Sequence, residues 1–268
     1  MKSIIEHKEL IRDGCQIHYF VTGKPGNALV LFLHPAFGDH RCFDHQVNTF
    51  AEDYRVITID LIGHGMSQPF GSKELINSSA EHLLAIIQTE GYESCHVIGV
   101  SMGSLIAQYF AYRYPDHVKS ITSVGAYSIH ELNKKITKAQ RSEMIKWLFW
   151  AAISMKRFRK YLASVTVIHP VEQEKFYIMA CSFTRKSFQV MSGLQHIVKE
   201  RKEVQSTTPI LLVCGDQDQE IIRESTIIWN DKDPQSKFIL IKNAGHCANM
   251  DNPDRFNSTV KSFLQSQK

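Results

Sequence analysis

Apolar residues come along this chain in short, uninterrupted runs. "ALVLFLH" (28–34), "YRVITID" (54–60), "SCHVIGV" (94–100), "VKSITSVG" (118–125), "PILLVCG" (209–215) and "SKFILIKN" (236–243) each fill the length of one strand between turn-forming residues. Most lack the alternation of a half-solvated strand, so they predict parallel strands covered on both faces. Between them the period becomes helical. "AEHLLAIIQTEG" (80–91) ends on Gly91, "SLIAQYFAYRYP" (104–115) is stopped before Pro115, and "PDRFNSTVKSFLQ" (253–265) follows the last strand. Alternation of this kind predicts an α/β fold with a doubly wound, mostly parallel sheet. "HKELIRDGCQIHYFVTG" ahead of it predicts an antiparallel hairpin at the sheet edge, turning at Asp13 and Gly14.

The alternation breaks between about 127 and 204, where the pattern is helical throughout. This divides the chain into a core, 1–126 with 205–268, and an inserted helical cap, 127–204, over the carboxyl ends of the strands, where open α/β sheets hold their ligands. Residues 131–160 carry nine Lys/Arg against two Glu, although the whole chain is only +4. Within them Met144, Trp147, Leu148, Ala151 and Met155 recur at spacings of three and four, one helix face that Phe149 and Trp150 widen. That face is expected to pack on the core and leave the basic face in water. The sharper reading makes Trp147 and Trp150 part of an apolar substrate pocket with a cationic rim, suited to an amphiphilic or anionic ester. A basic amphipathic helix also suits peripheral contact with acidic lipid.

Composition narrows the rest. At 268 residues, 43% hydrophobic and 22% charged, the chain can bury a sizeable core. Charges interrupt the N-terminal "MKSIIEHKELIRDG", unlike the apolar core of a signal peptide. The run "WLFWAAISM" (147–155) is far short of the ~20 residues that span a bilayer. The expectation is a cytoplasmic protein without stable membrane insertion. Cysteines 15, 42, 95, 181, 214 and 247 include no C-x-x-C pair and read as buried free thiols. Thirteen histidines include no H-E-x-x-H, so neither a metal nor another cofactor is expected. The basic excess is local and lacks a base-stacking motif, which argues against nucleic acid. No feature speaks to oligomeric state.

Chemistry concentrates at the strand ends. Gly99-Val100-Ser101-Met102-Gly103 fits G-x-S-x-G, with a strand before it and a helix after it. A serine on such a turn projects its hydroxyl clear of the sheet, and larger side chains at the flanking glycines would collide with the turn. A hydroxyl needs a base. The candidate is His246 in "IKNAGHCANMDNP", with His64 in "DLIGHGMS" a loop-shaping competitor. The acid is expected after the fifth parallel-type strand, in "LLVCGDQDQE": Asp218 is preferred, Asp216 is the alternative, and chain order serine, acid, histidine is kept. Met102 N–H is one oxyanion donor. "LFLHPAFGDH" supplies the second from Ala36 or Phe37, since Pro35 has no N–H and His34 shapes the loop.

Taken together, "LFLHPAFGD" (31–39), "IDLIGHGMS" (59–67), "GVSMGS" (99–104), "CGDQD" (214–218) and "NAGHCANMDNP" (243–253) make the chain resemble the α/β-hydrolase superfamily over nearly its whole length. It departs from the pattern at His34-Pro35, where His-Gly is usual, and at Gly103-Ser104, where two glycines are usual. The resemblance implies an ester hydrolase, with lactones and thioesters as related substrates. It also leaves open a carbon–carbon bond hydrolase of ring-cleavage products, or a small-molecule receptor on the same fold. A serine at the elbow separates the chain from the dehalogenase and epoxide hydrolase branches, which use aspartate there.

Overall fold

A computed structural model describes residues 4–68, 72–131, 134–199 and 207–267. Eight strands form one sheet: β1 (Glu6–Arg12), β2 (Cys15–Thr22), β3 (Leu29–Leu33), β4 (Arg55–Ile59), β5 (Cys95–Val100), β6 (Val118–Val124), β7 (Ile210–Gly215) and β8 (Ser236–Ile241). Their order across the sheet is β1-β2-β4-β3-β5-β6-β7-β8. The pairs from β4 to β8 are parallel, and only β1–β2 and β2–β4 are antiparallel. The edge hairpin turns at Asp13 and Gly14, both at positive φ, as a two-residue turn requires.

Burial follows the run pattern. Every residue of β3, β4, β5 and β7 is buried, because helices cover both faces. Edge strand β1 instead carries exposed charges, Glu6, Glu9 and Arg12 among them, that discourage further strand pairing. The covering helices are α1 (Asp44–Ala51), α2 (Ser79–Thr89) and α3 (Met102–Arg113) in the first half. Between β6 and β7 the described residues form α4 (Lys134–Ile153), α5 (Met155–Thr166), α6 (Pro170–Ala180), α7 (Ser187–Met191) and α8 (Leu194–Ile197), with no strand among them. The chain ends through α9 (Glu220–Lys232), the short α10 (Ala248–Asp251) and α11 (Pro253–Gln265). The expected insertion boundary near 204 lies outside the described residues, as do the side chains of Lys134, Lys135 and Arg141.

Two expectations need correction. The apolar face anticipated on α4 does not pack as a unit: Trp147 and Ala151 turn inward, but Met144 and Leu148 are 49% and 52% exposed, and Met155 begins the next helix. The segment is apolar around most of its circumference, so spacing could not say which side the core would take. All six cysteines are free, but Cys181, just past α6, is exposed rather than buried. No described helix is long and apolar enough to cross a membrane.

Candidate active site

Six loops open at the carboxyl edge of the six parallel strands, β3 to β8. The one after β5 carries Ser101 at φ 52 and ψ −114, a backbone state that costs a non-glycine residue about 1–3 kcal/mol. Surrounding contacts hold it there. Ser101 N–H donates to Val124 O at 2.7 Å, and Ser101 O accepts from Ser104 N at 2.9 Å and Leu105 N at 3.2 Å, opening α3. A Cβ at Gly99 would lie 2.4 Å from Gly103 O, and one at Gly103 would lie 2.1 Å from Leu33 O. Both clashes are with backbone, so the turn closes only with glycine at each end. Ser104, the departure from two glycines, hydrogen-bonds the Ser123 hydroxyl and so ties α3 to β6.

His246, after β8, approaches from the other side of β6. Its Nδ1–H donates to Asp218, 2.9 Å from Oδ1 and 3.1 Å from Oδ2. The Asp218 side chain is fully buried and also accepts from Gln219 N at 2.7 Å. Burial pulls the His246 pKa down, but the Asp218 charge and hydrogen bond outweigh it and leave the imidazole above its usual value. Asp216 has a different task, accepting from Ala244 N at 3.2 Å and so pinning the histidine loop. Of the two carboxylates, Asp218 is the one the fold brings to His246.

Gly125 links these halves, and sequence reasoning passed over it as a strand end. It follows Val124, whose carbonyl anchors Ser101, and a Cβ on it would lie 3.0 Å from His246 Nδ1 and 3.2 Å from Asp218 Oδ2. Its φ of +57 also suits glycine. Asp251 was missed too. Its carboxylate accepts from Gly245 N at 2.9 Å and from Ile168 N at 2.9 Å, joining the histidine loop to the chain after α5. A polar residue five places past a loop histidine is a weak signal by itself. Ser101 and His246 are both partly accessible, and among the described residues no hydrogen bond joins them. Such contacts often tighten only when substrate binds.

The loop after β3 is built around His34. Its Nδ1–H donates to Pro35 O at 2.8 Å and its Nε2 accepts from Leu61 N at 3.0 Å, so a neutral ring in one tautomer serves both loops. Burial, the main influence, lowers its pKa accordingly. Gly38 N–H closes on Pro35 O at 3.2 Å, leaving Ala36 and Phe37 in the middle of the turn, with Phe37 at φ 69. The Phe37 ring meets Trp147, Phe158 and Phe183 edge to face at 5.1, 5.4 and 4.7 Å. Trp147 thus reaches the loop that bears the oxyanion candidates. Trp150 is half-buried, its ring edge to face with Phe149, and among the described residues it makes no ring contact with these loops. His64 is fully buried behind them, its ring 5.1 Å from that of His34, and burial depresses its pKa to about 3. It shapes the loop and is poorly placed to exchange protons.

Two open hollows of about 500 and 720 Å³ lie elsewhere, one lined by Ser72, Glu74 and His196, the other by Tyr112, Trp229 and Lys232. Among the described residues, three side-chain groups have metal-ligating atoms within 4.8 Å of one another: His7, Glu9 and His18; Cys15, Glu74 and His82; and Asp39, His40 and Asp60. All are internally hydrogen-bonded, and none includes Ser101, Asp218 or His246.

An open, mostly parallel sheet with a strained serine elbow at its carboxyl edge defines the class. The profile of the α/β-hydrolase fold matches residues 28–167, and the chain belongs to that family. Over 267 residues it is 24% identical to an uncharacterized carboxylesterase, nap, of Bacillus subtilis (strain 168), spanning 94% of this chain and 84% of that one. Over 286 residues it is 22% identical to epoxide hydrolase 4 of Mus musculus, spanning 96% and 79%. The structure of a thermophilic esterase from Thermogutta terrifontis superposes over 98% of this chain and 99% of its own, with a TM-score of 0.81 and 19% identity. At that identity the structural likeness concerns the fold.

Proposed function

We propose that the chain is a serine hydrolase cleaving carboxylic esters of apolar or amphiphilic small molecules through an acyl-enzyme. One observation carries the reading: Ser101 stands on a strained elbow, and the Asp218–His246 pair lies against Gly125, next to the residue that anchors it. Ser101 Oγ attacks the ester carbonyl while His246 Nε2 takes its proton. Asp218 keeps the proton on Nδ1 and stabilises the imidazolium that forms. Met102 N–H, at the start of α3, and Ala36 N–H, or its neighbour Phe37 N–H, hold the oxyanion. His246 then protonates the leaving alcohol, and water, deprotonated by the same ring, releases the acid and restores Ser101. The names of the similar proteins span more than one hydrolytic chemistry. A serine rather than an aspartate at 101 favours an ester-cleaving acyl-enzyme, in keeping with the Bacillus relative.

In the same reading residues 127–204 form a cap over the site. The ring contacts to Phe37 and the Asp251 bond to Ile168 support it, since both tie this segment to site loops. Trp147, edge to face with Phe37, then lines the apolar substrate pocket.

Labelling with a fluorophosphonate tests the chemistry: wild type is expected to form a stoichiometric adduct that Ser101→Ala lacks. Equal labelling of both, or of neither, overturns the hydrolase reading, the second result in favour of a receptor. A p-nitrophenyl ester series then tests the pocket, with octanoyl expected to exceed acetyl in kcat/KM.

A further inference from the structure

Helix α4 leaves an apolar face in water. Met144, Ile145, Leu148, Phe149 and Ile153 are each between 49% and 60% exposed, and at 100° per residue they cover about half of the helix circumference. The opposite side carries Glu143, which accepts from Tyr161 of α5 at 3.0 Å, and the inward-turned Trp147 and Ala151. Single exposed leucines are ordinary. Five contiguous large side chains present on the order of 500 Å², the upper end of what a monomer's largest patch reaches.

Positive charge brackets this face. Lys138 lies two turns earlier on the same arc, and Lys156, Arg157 and Lys160 follow in the first turns of α5, all exposed. Among the described residues of this stretch, only Lys146 is ion-paired, to Glu143 at 2.6 Å. A second copy of the chain docked two-fold on the face would bring like charges together, which opposes self-association. A surface of dispersed negative charge over an apolar interior satisfies both features.

We propose that this face docks on the surface of an anionic lipid bilayer. The apolar side chains enter the boundary between headgroups and acyl chains, with α4 lying in the plane, while the flanking cations meet lipid phosphates. Docking does not depend on the hydrolase reading. If both hold, the cap meets ester substrates at a lipid surface.

The test is cosedimentation of the full-length protein with vesicles of pure phosphatidylcholine, or with about 30% phosphatidylglycerol added. Partition is expected to be at least ~10-fold stronger on the anionic vesicles and to weaken in high salt. The variant Lys156→Gln/Arg157→Gln is expected to lose about 30-fold, from ~1 kcal/mol per cation at the surface. Ile145→Asp/Phe149→Asp should abolish binding while keeping wild-type circular dichroism and fluorophosphonate labelling. Ser101→Ala should bind vesicles like wild type, which separates this proposal from the catalytic one. The proposal is overturned by absent binding, by equal binding to both vesicle types, or by a dimer in sedimentation velocity that Ile145→Asp/Phe149→Asp dissociates.

Discussion

Replacing Asp218 by asparagine changes one atom and tests the whole polar arrangement. The carboxylate is fully buried and accepts the His246 Nδ1 proton at 2.9 and 3.1 Å, while Oδ1 also accepts from Gln219 N. Asparagine can keep the Gln219 bond through its oxygen, which turns its NH2 toward His246. At the Oδ2 position, 3.1 Å from Nδ1, that NH2 favours an Nδ1 that accepts and a proton on Nε2, and in this tautomer the ring cannot take a proton from Ser101. A wrong-tautomer histidine costs about 10³–10⁴ in kcat, or ~4–5.5 kcal/mol of transition-state stabilisation. The pH profile moves as well. In the wild type, kcat/KM is expected to fall as His246 becomes protonated, at a pH above the usual histidine value because Asp218 outweighs burial. Without the carboxylate only burial remains, so the inflection shifts to lower pH. Asp216→Asn is the control, because its oxygen can still accept from Ala244 N; it should stay within a few-fold of wild type. Initial rates on a p-nitrophenyl ester from pH 5 to 9, with circular dichroism to confirm folding, measure both effects. A larger loss in Asp216→Asn, or an inflection in Asp218→Asn that stays or rises, would refute the assignment.

Three further outcomes are expected. Gly125→Ala puts a Cβ 2.8 Å from His246 O and 3.0 Å from Nδ1, so kcat should fall about 10²-fold with KM nearly unchanged, read from steady-state kinetics. Phe37→Ala removes a buried ring from the Trp147, Phe158 and Phe183 cluster and should cost about 3–5 kcal/mol in denaturant unfolding. His64 is buried neutral with its pKa depressed to about 3, so its contribution to stability is present above about 6.5, the unfolded value, and is lost as pH falls. Between pH 7 and 5 this amounts to about 2 kcal/mol. His64→Phe, which keeps a ring beside Phe183, should flatten the acid side of the stability curve by that amount; an unchanged slope would count against a buried neutral ring.

The strands, the elbow and the histidine loop were legible because each is a local property. A run of β-branched and apolar residues between turn formers makes a buried strand wherever it occurs, and Gly99 and Gly103 flank Ser101 because the clash they avoid lies within a few residues and the adjoining strand. Chain order also placed His246 and the aspartates on loops of one sheet edge. Which carboxylate faces the ring was a tertiary decision: Asp216 and Asp218 stand two residues apart, and the path of the loop past Gly215 gives one to Ala244 N and the other to His246. Gly125 and Asp251 owe their importance to residues 121 and 83 positions away, so no neighbouring pattern marks them. Helix α4 shows the limit most clearly. Its sequence determined that a helix forms with apolar side chains on most sides and lysines around it. Only the packing of Trp147 against Phe37, and of Glu143 against Tyr161, chose the buried side and left Ile145 and Phe149 facing outward. Burial is a relation between two surfaces, and one helix's sequence holds only half of it.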